Sequence, residues 1–140
     1  MIVLDTNVLS EPLRAQPDER VIAWLEGLEE AVAITSVSVG ELLVGAERLP
    51  DGRRRDELLL AVEAVTATFE EDVLAYDTAA ARRFATMQVA RRAAGRPLST
   101  EDGMIAAICA GNGGRLATRN TRDFDGLGLV LVDPWTVQPA

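Results

Sequence analysis

Short hydrophobic runs alternate with amphipathic segments along most of the chain. The runs are rich in Val, Ile and Leu and are bounded by polar residues, which is typical of buried strands. They predict five strands, at residues 2–4, 32–35, 73–76, 115–118 and 129–132.

Between these runs, apolar residues recur at the three- and four-residue spacing of a helix that faces a core. The helix that follows the second strand is expected to begin at Ser36 or Ser38, since serine is a good helix cap, and to end before Pro50. The predicted helices cover residues 19–27 and 78–94 and begin near residues 36, 53 and 99.

The order of these elements predicts an α/β fold. Parallel strands need crossover connections, usually helices, and the resulting sheets are covered on both faces. We therefore expect a three-layer α/β/α arrangement around a mainly parallel central sheet of about five strands. A chain of 140 residues has the length of one domain, so a single domain over residues 1–140 is predicted.

The composition narrows the chemistry that such a domain could perform. The sequence contains no histidine, and all 14 basic residues are arginine. Without histidine, a Ser-His-Asp triad and a His-containing zinc site are excluded. Without lysine, a P-loop and a Schiff base are excluded as well. The single cysteine, Cys109, lies within an apolar run and is expected to be a core residue.

Acidic residues fall where predicted strands end or helices begin. Asp5 directly follows the first strand, Glu41 lies near the start of the helix after the second strand, and Asp102 opens the helix before the fourth strand. Asn120 and Asp123 follow the fourth strand. Because ligands of open α/β sheets bind beyond the carboxyl ends of the strands, these side chains are expected to meet at one edge.

Each acid also has a purely structural interpretation. Asp5 suits a turn, while Glu41 and Asp102 each lie three residues after a serine, Ser38 and Ser99, as in a capping box. The convergence of these acids at one edge favours a metal-binding site over separate structural roles. Ionised carboxylates held close together repel one another, and a divalent cation removes that repulsion. Oxygen ligands without histidine predict Mg²⁺ or Mn²⁺, which binds a phosphodiester and activates water.

Several short motifs occur in a characteristic order. They are residues 4–7 (LDTN), 10–14 (SEPLR), 36–42 (SVSVGEL), 101–107 (EDGMIAA) and 117–124 (ATRNTRDF). Together they resemble the PIN-domain nucleases, and more specifically the VapC-type toxins of the FitB-like subgroup. The resemblance implies a PIN-like fold and a Mg²⁺- or Mn²⁺-dependent ribonuclease that leaves a 5′-phosphate. It also implies inhibition by a cognate VapB-like antitoxin, and a homodimer or a higher assembly with that antitoxin.

The resemblance implies catalytic roles for four acids. Asp5, Glu41 and Asp102 correspond to the first three acids of the family. Some members place the fourth acid where this chain has Asn120, and many place it at the position of Asp123. We favour Asp123, so the expected metal ligands are Asp5, Asp102 and Asp123.

Four polar neighbours are expected to support these acids, namely Thr6, Asn7, Thr118 and Asn120. In the family, residues at the positions of Thr6 and Asn7 hydrogen-bond to the first acid. Thr118 either contacts metal-bound water or ends the strand, and Asn120 binds water or phosphate.

The net charge of −8 argues against a broad nucleic-acid surface, since phosphate binding draws on basic residues. RNA binding is therefore expected at local clusters of arginine rather than over the whole surface. Arg119 and Arg122 follow the fourth strand near the acids and are the predicted RNA contacts. The arginines at residues 53–55 and 91–96 are interpreted as ordinary solvated faces. The acidic remainder suits a basic partner segment, as the resemblance to antitoxin-bound proteins implies.

Two other functions stay open at this point. One is a PIN-like module that binds RNA or protein without cleaving it, and the other is a metal-dependent phosphatase or DNA nuclease that uses the same acids. No secretory signal is predicted, because the N-terminus lacks a basic segment and its apolar run is interrupted at Asp5. No run is long enough to cross a bilayer, so a soluble, cytoplasmic protein without membrane contact is expected.

Overall fold

The computed structural model describes residues 1–137. Its five strands are β1 (Ile2–Leu4), β2 (Val32–Thr35), β3 (Val73–Leu74), β4 (Arg115–Ala117) and β5 (Leu131–Val132). They form one sheet in the order β3-β2-β1-β4-β5, and all neighbouring strands are parallel. The predicted parallel sheet is confirmed, although β3, β4 and β5 are shorter than predicted. The carboxyl end of β1 therefore lies at the centre of one edge.

Six α-helices and three 3₁₀ turns connect and follow these strands within residues 1–137. The helices are α1 (Thr6–Ser10), α2 (Glu19–Glu26), α3 (Ser36–Glu47), α4 (Arg53–Thr68), α5 (Thr78–Ala93) and α6 (Thr100–Gly111), and the turns are Glu11–Leu13, Glu70–Asp72 and Thr121–Phe124. Helix α1 has no counterpart among the predicted helices, because five residues are too few to show apolar periodicity. In this part of the chain no helix has the length and apolar character needed to cross a membrane.

Side chains of β1 alternate between two hydrophobic cores. Ile2 and Leu4 belong to one core, which α2, α3 and α4 close. Val3 belongs to the other core, which α6 closes. All three side chains are almost completely shielded from solvent, as expected for a parallel strand with helices on both faces. The three-layer α/β/α arrangement is thus confirmed.

The start of α3 differs from the prediction. Thr35, the last residue of β2, caps the helix, since its hydroxyl accepts a hydrogen bond from the Ser38 amide at 3.1 Å. The prediction that Ser36 or Ser38 caps this helix is wrong, and Glu41 is not part of a capping box. Because β2 runs directly into α3, no loop residue is available to act as the cap.

The start of α6 agrees with the prediction. Ser99 caps the helix and accepts a hydrogen bond from the Asp102 amide at 3.2 Å. At the next residue, Gly103, a Cβ would lie 2.6 Å from the Phe84 ring of α5, so α6 has no room for a larger side chain here. Further along α6, Cys109 is buried as predicted, and burial raises the pKa of its thiol to about 12.

Candidate active site

Asp5 is held at the carboxyl end of β1, where it caps the short helix α1. Its side chain is only 4% exposed. Oδ1 accepts a hydrogen bond from the Thr6 amide at 2.8 Å. Oδ2 accepts one from the Thr118 hydroxyl at 2.7 Å and one from the Asn7 amide group at 3.2 Å. Three donors therefore fix a buried carboxylate at the centre of the sheet edge.

Burial raises the pKa of Asp5 to about 6. Removal of water is the largest cause, and the hydrogen bonds from Thr118 and Thr6 oppose it because they stabilise the charged form. The negative charges of Asp102 and Glu41 raise this pKa further. The structure therefore brings these two acids into the electrostatic neighbourhood of Asp5, at the edge where the sequence predicts them.

Glu41 joins the site through a chain of hydroxyl groups. Its Oε1 accepts a hydrogen bond from Thr6 Oγ1 at 2.7 Å, and Thr6 Oγ1 lies 2.8 Å from Ser38 Oγ. Because Thr6 uses its one hydroxyl proton on the carboxylate, Ser38 donates to Thr6, and Thr35 donates to Ser38 at 3.4 Å. The chain has a single direction and ends at the Glu41 carboxylate.

Ser38 is therefore a site residue that the sequence analysis assigned only to helix capping. It is completely buried, and its hydroxyl connects β2 to α1. The signal in the sequence is the pair Thr35 and Ser38, two hydroxyl residues at the end of an apolar strand and shortly before an acid.

Asp102 lies in the first turn of α6 and is partly exposed. Burial raises its pKa, and a hydrogen bond between the Ser99 side chain and the Asp102 carboxylate opposes this rise. The charges of Asp123 and Glu101 raise it further. The charge of Asp102 thus acts on Asp5, and the charge of Asp123 acts on Asp102.

The two candidates for the fourth acid both follow β4 and are both exposed. Asp123 lies in the 3₁₀ turn Thr121–Phe124, and its charge acts on Asp102. The Asn120 amide donates to the Thr118 hydroxyl at 3.0 Å. Asp123 is thus the candidate whose charge acts on Asp102, whereas the Asn120 contact is made by its main chain.

Asn7 and Thr118 connect the end of β1 to the end of β4. Besides its bond to Asp5, the side-chain amide of Asn7 donates to Thr118 Oγ1 at 3.4 Å. Its oxygen accepts a hydrogen bond from the Arg119 amide at 3.2 Å. Thr6, Asn7 and Thr118 thus each contact an acid of the site.

The two predicted RNA contacts differ in their surroundings. The Arg119 guanidinium stacks on Trp135, with its carbon 5.0 Å from the ring centroid, and the side chain is still exposed at the edge. Arg122 is exposed in the 3₁₀ turn beside Asp123, and its carbonyl oxygen accepts a hydrogen bond from Arg96 at 2.8 Å. Both arginines remain accessible to a phosphate group.

The interpretation of residues 91–96 as a solvated face is wrong for Arg91. This side chain is only 8% exposed. Its guanidinium donates to the carbonyl oxygens of Arg96, Asp125 and Asp123, at 2.8, 2.9 and 3.1 Å. Sequence reasoning missed it because its partners are main-chain groups, which no side-chain pattern reveals.

Glu11 is a second buried charge that the sequence analysis did not single out. It is 3% exposed and accepts hydrogen bonds from the Asp18 amide at 2.9 Å and from Arg14 at 3.3 Å. It belongs to the SEPLR motif and fixes the connection between α1 and α2. Its role is structural, since its donors close a loop.

The sequence matches the PIN domain family over residues 2–128. This match covers most of the chain and includes Asp5, Glu41, Asp102 and Asp123. The chain belongs to the PIN domain family.

Known proteins are similar to this chain over nearly their full length. The VapC ribonuclease Y4jK of Sinorhizobium fredii is 36% identical, with 96% of this chain and 98% of that protein covered. The crystal structure of FitAcB from Neisseria gonorrhoeae is 35% identical and superposes with a TM-score of 0.92, covering 98% of this chain and 100% of that chain. VapBC-5 from Mycobacterium tuberculosis, of the VapBC family of toxin–antitoxin systems, is 28% identical with a TM-score of 0.70, covering 93% and 94%.

The donor chemistry of this PIN domain fits a hard divalent cation. The acids offer oxygen ligands, and Asp5 has a raised pKa that a neighbouring positive charge would lower. A carboxylate has about four acceptor positions, and Asp5 uses three of them on Thr6, Asn7 and Thr118. Among residues 1–137, however, no three His, Cys, Asp or Glu side chains are arranged so that they already enclose an ion. The types of donor atom at this site thus suit a divalent cation, but the side chains are not already arranged around one.

Proposed function

We propose that this protein is a Mg²⁺- or Mn²⁺-dependent endoribonuclease toxin that hydrolyses RNA phosphodiesters. The observation that carries this proposal is Asp5, a buried carboxylate at the centre of the sheet edge whose pKa is raised by burial and by the charges of Asp102 and Glu41. A protein tolerates such repulsion when a bound cation offsets it. Membership of the PIN family, with a relative named a ribonuclease, supports the same conclusion.

In this proposal, Asp5, Asp102 and Asp123 hold the cation, and Glu41 is a catalytic acid that does not bind it. When bound, a divalent cation at such a site binds the scissile phosphate and lowers the pKa of the attacking water. Side chains of the protein orient the two catalytic carboxylates Asp5 and Glu41. Thr118 fixes the Asp5 carboxylate at 2.7 Å, and Thr6 fixes the Glu41 carboxylate at 2.7 Å.

Arg119 and Arg122 bind the RNA backbone in this proposal. Both are exposed beside the acids, and Asn120, also exposed, lies between them in the chain. Guanidinium groups bind phosphate oxygens through paired hydrogen bonds. Their position after β4 would place the phosphate next to Asp123.

We further propose that a cognate VapB-like antitoxin is the inhibitor of this protein, and that the protein assembles with it as a homodimer or larger complex in the cytoplasm. The similarity to VapBC-5, of a toxin–antitoxin family, supports this partner. A net charge of −8 and an edge of clustered acids favour a partner segment that carries arginine or lysine.

The proposal is tested with purified protein free of antitoxin. RNA, DNA and a small phosphomonoester are incubated with the wild type in the presence of Mg²⁺, Mn²⁺ or EDTA. We expect cleavage of RNA, 5′-phosphate ends, and complete loss of cleavage in EDTA. Cleavage that resists EDTA would overturn the metal mechanism, and cleavage of DNA or the phosphomonoester instead of RNA would reassign the substrate.

A second candidate function is a PIN domain that binds RNA or protein without cleaving it. The observation in its favour is that no three acids in residues 1–137 already enclose an ion. The same assay separates the two, because this candidate gives RNA binding without products under every metal condition.

A further inference from the structure

Arg91 is a buried charge that the proposed reaction does not use. Burying a guanidinium is costly unless its donors are satisfied. Here Nε, Nη1 and Nη2 each donate to a main-chain carbonyl oxygen. Within residues 1–137 no ion pair includes Arg91. The guanidinium of Arg91 therefore binds main-chain carbonyl oxygens and no carboxylate within residues 1–137.

The three carbonyl oxygens belong to two segments that each lead to an acid of the site. Arg96 lies in the connection from α5 to α6, three residues before the Ser99 cap of the helix that carries Asp102. Asp123 and Asp125 lie in and directly after the 3₁₀ turn. Arg91 therefore bridges the segment before one acid and the segment that contains the other.

Neighbouring contacts strengthen the same bridge. Gln88, one turn earlier on α5, is buried and binds both main-chain groups of Leu98, with its amide donating at 2.8 Å and its oxygen accepting at 2.9 Å. Arg96 in turn donates to the Arg122 carbonyl oxygen at 2.8 Å. The connection is thereby fixed to α5 on one side and to the 3₁₀ turn on the other.

We propose that Arg91 is a positioning residue of the nuclease site, which sets the separation of the Asp102 and Asp123 carboxylates by holding the carbonyl oxygens of Arg96, Asp123 and Asp125. The inference rests on the proposed nuclease function. Asp123 is exposed on a short turn, and its carboxylate is repelled by that of Asp102. A buried guanidinium beneath the turn opposes this repulsion by fixing the main chain that carries Asp123.

The test compares Arg91→Met, which keeps the apolar stem and removes the donors, with Arg92→Met, its exposed neighbour on the same helix. With saturating Mg²⁺, we expect Arg91→Met to lower kcat for RNA by about 10- to 100-fold, the usual effect of losing a group that orients a metal ligand. KM for RNA should change little, and Arg92→Met should retain the wild-type kcat.

A double-mutant cycle separates positioning from a general structural role. If Arg91 acts through Asp123, then Arg91→Met causes no further loss of kcat in an Asp123→Asn background. A role in stability alone would lower kcat by the same factor in both backgrounds. Hydrogen exchange adds a second readout, because the Asp123 amide, bonded to the Asn120 carbonyl oxygen at 2.9 Å, should exchange faster in Arg91→Met.

If Arg91→Met does not fold, Arg91→Lys takes its place, since lysine keeps the charge but cannot reach three carbonyl oxygens in a fork. Wild-type kcat in either folded variant, or an equal loss in the Asp123→Asn background, overturns the positioning role. Failure of the proposed function is a different result, in which the wild type itself does not cleave RNA. In that case hydrogen exchange still tests whether Arg91 fixes the turn that carries Asp123. Unchanged exchange of the Asp123 amide in the Arg91 variant overturns this role, and faster exchange supports it.

Discussion

At the scale of single residues, Asp5 is a carboxyl group that the fold keeps at this point although burial disfavours its charged form. It accepts hydrogen bonds from Thr6, Asn7 and Thr118, each of which favours the ionised form, and yet its pKa is raised to about 6. Burial therefore outweighs all three donors. A shift of about two pH units corresponds to about 3 kcal/mol of lost stability when the group is ionised.

Replacing that charge should separate activity from stability. We expect Asp5→Asn to abolish RNA cleavage and to leave the free energy of unfolding at pH 7.5 unchanged or raised by up to about 3 kcal/mol. Asparagine caps helices as well as aspartate does, so α1 keeps its start. The measurements are cleavage of RNA and urea unfolding monitored by circular dichroism.

The matched control is Asp77→Asn, which changes another capping aspartate that is exposed and begins α5. It should keep both activity and stability. If Asp5→Asn is strongly destabilised while Asp77→Asn is not, Asp5 is a structural turn residue rather than part of an active site.

The same shift predicts how the effect depends on pH. The folded pKa of Asp5 is above its unfolded value of 3.8, so between these values the native state binds more protons than the unfolded state. Stability from this group is therefore present at low pH and lost as pH rises from about 4 to 6. In EDTA, the stability difference between Asp5→Asn and the wild type should grow over that range and be constant above it. A difference independent of pH would contradict the raised pKa.

At the scale of elements, the close packing of α5 and α6 determines where Asp102 lies. A Cβ at Gly103 would lie 2.6 Å from the Phe84 ring, so Gly103→Ala should push the first turn of α6 away from α5. We expect a loss of about 1–3 kcal/mol in unfolding free energy, as for other overpacked sites, together with reduced cleavage.

The control is Gly45→Ala in α3, where an added Cβ meets nothing within 4 Å. Alanine has the higher helix propensity, so this variant should gain about 0.5–1 kcal/mol. Equal thermal midpoints for Gly103→Ala and Gly45→Ala would show that the contact with Phe84 relaxes freely.

Several elements were predictable from the sequence because their signals are local. The apolar run of β1, the serine cap of α6 and the acid that follows β1 all depend on adjacent residues. The cap of α3 was mispredicted because Thr35, Ser36 and Ser38 are all capable of capping, and only the direct passage from strand to helix selects Thr35.

Other features depend on contacts that no local pattern contains. Arg91 is buried because it meets carbonyl oxygens up to 34 residues away, and a side-chain pattern carries no information on main-chain partners. The preference for Asp123 over Asn120 stays a prediction. The charge of Asp123 acts on Asp102, and this effect depends on the 3₁₀ turn that follows β4.

At the scale of the whole molecule, cation binding should stabilise the fold, because a positive ion offsets the repulsion around Asp5. At a Mg²⁺ or Mn²⁺ concentration about 100-fold above its Kd, we expect the free energy of unfolding to rise by about 2.7 kcal/mol. Thermal unfolding with each cation and with EDTA measures this shift. Asp5→Asn should lose most of the shift and Asp77→Asn should keep it. An unchanged wild-type midpoint at every concentration would contradict a metal site.

The contacts of Asp5 and Thr6 have a consequence for heat inactivation. These consecutive residues bind Thr118 after β4 on one side and Glu41 of α3, which follows β2, on the other. If either neighbouring strand separates from β1, one of the two carboxylates loses the group that orients it. A partly melted form that still cuts RNA is therefore not expected, and residual activity on heating should trace the same curve as the melting of the sheet.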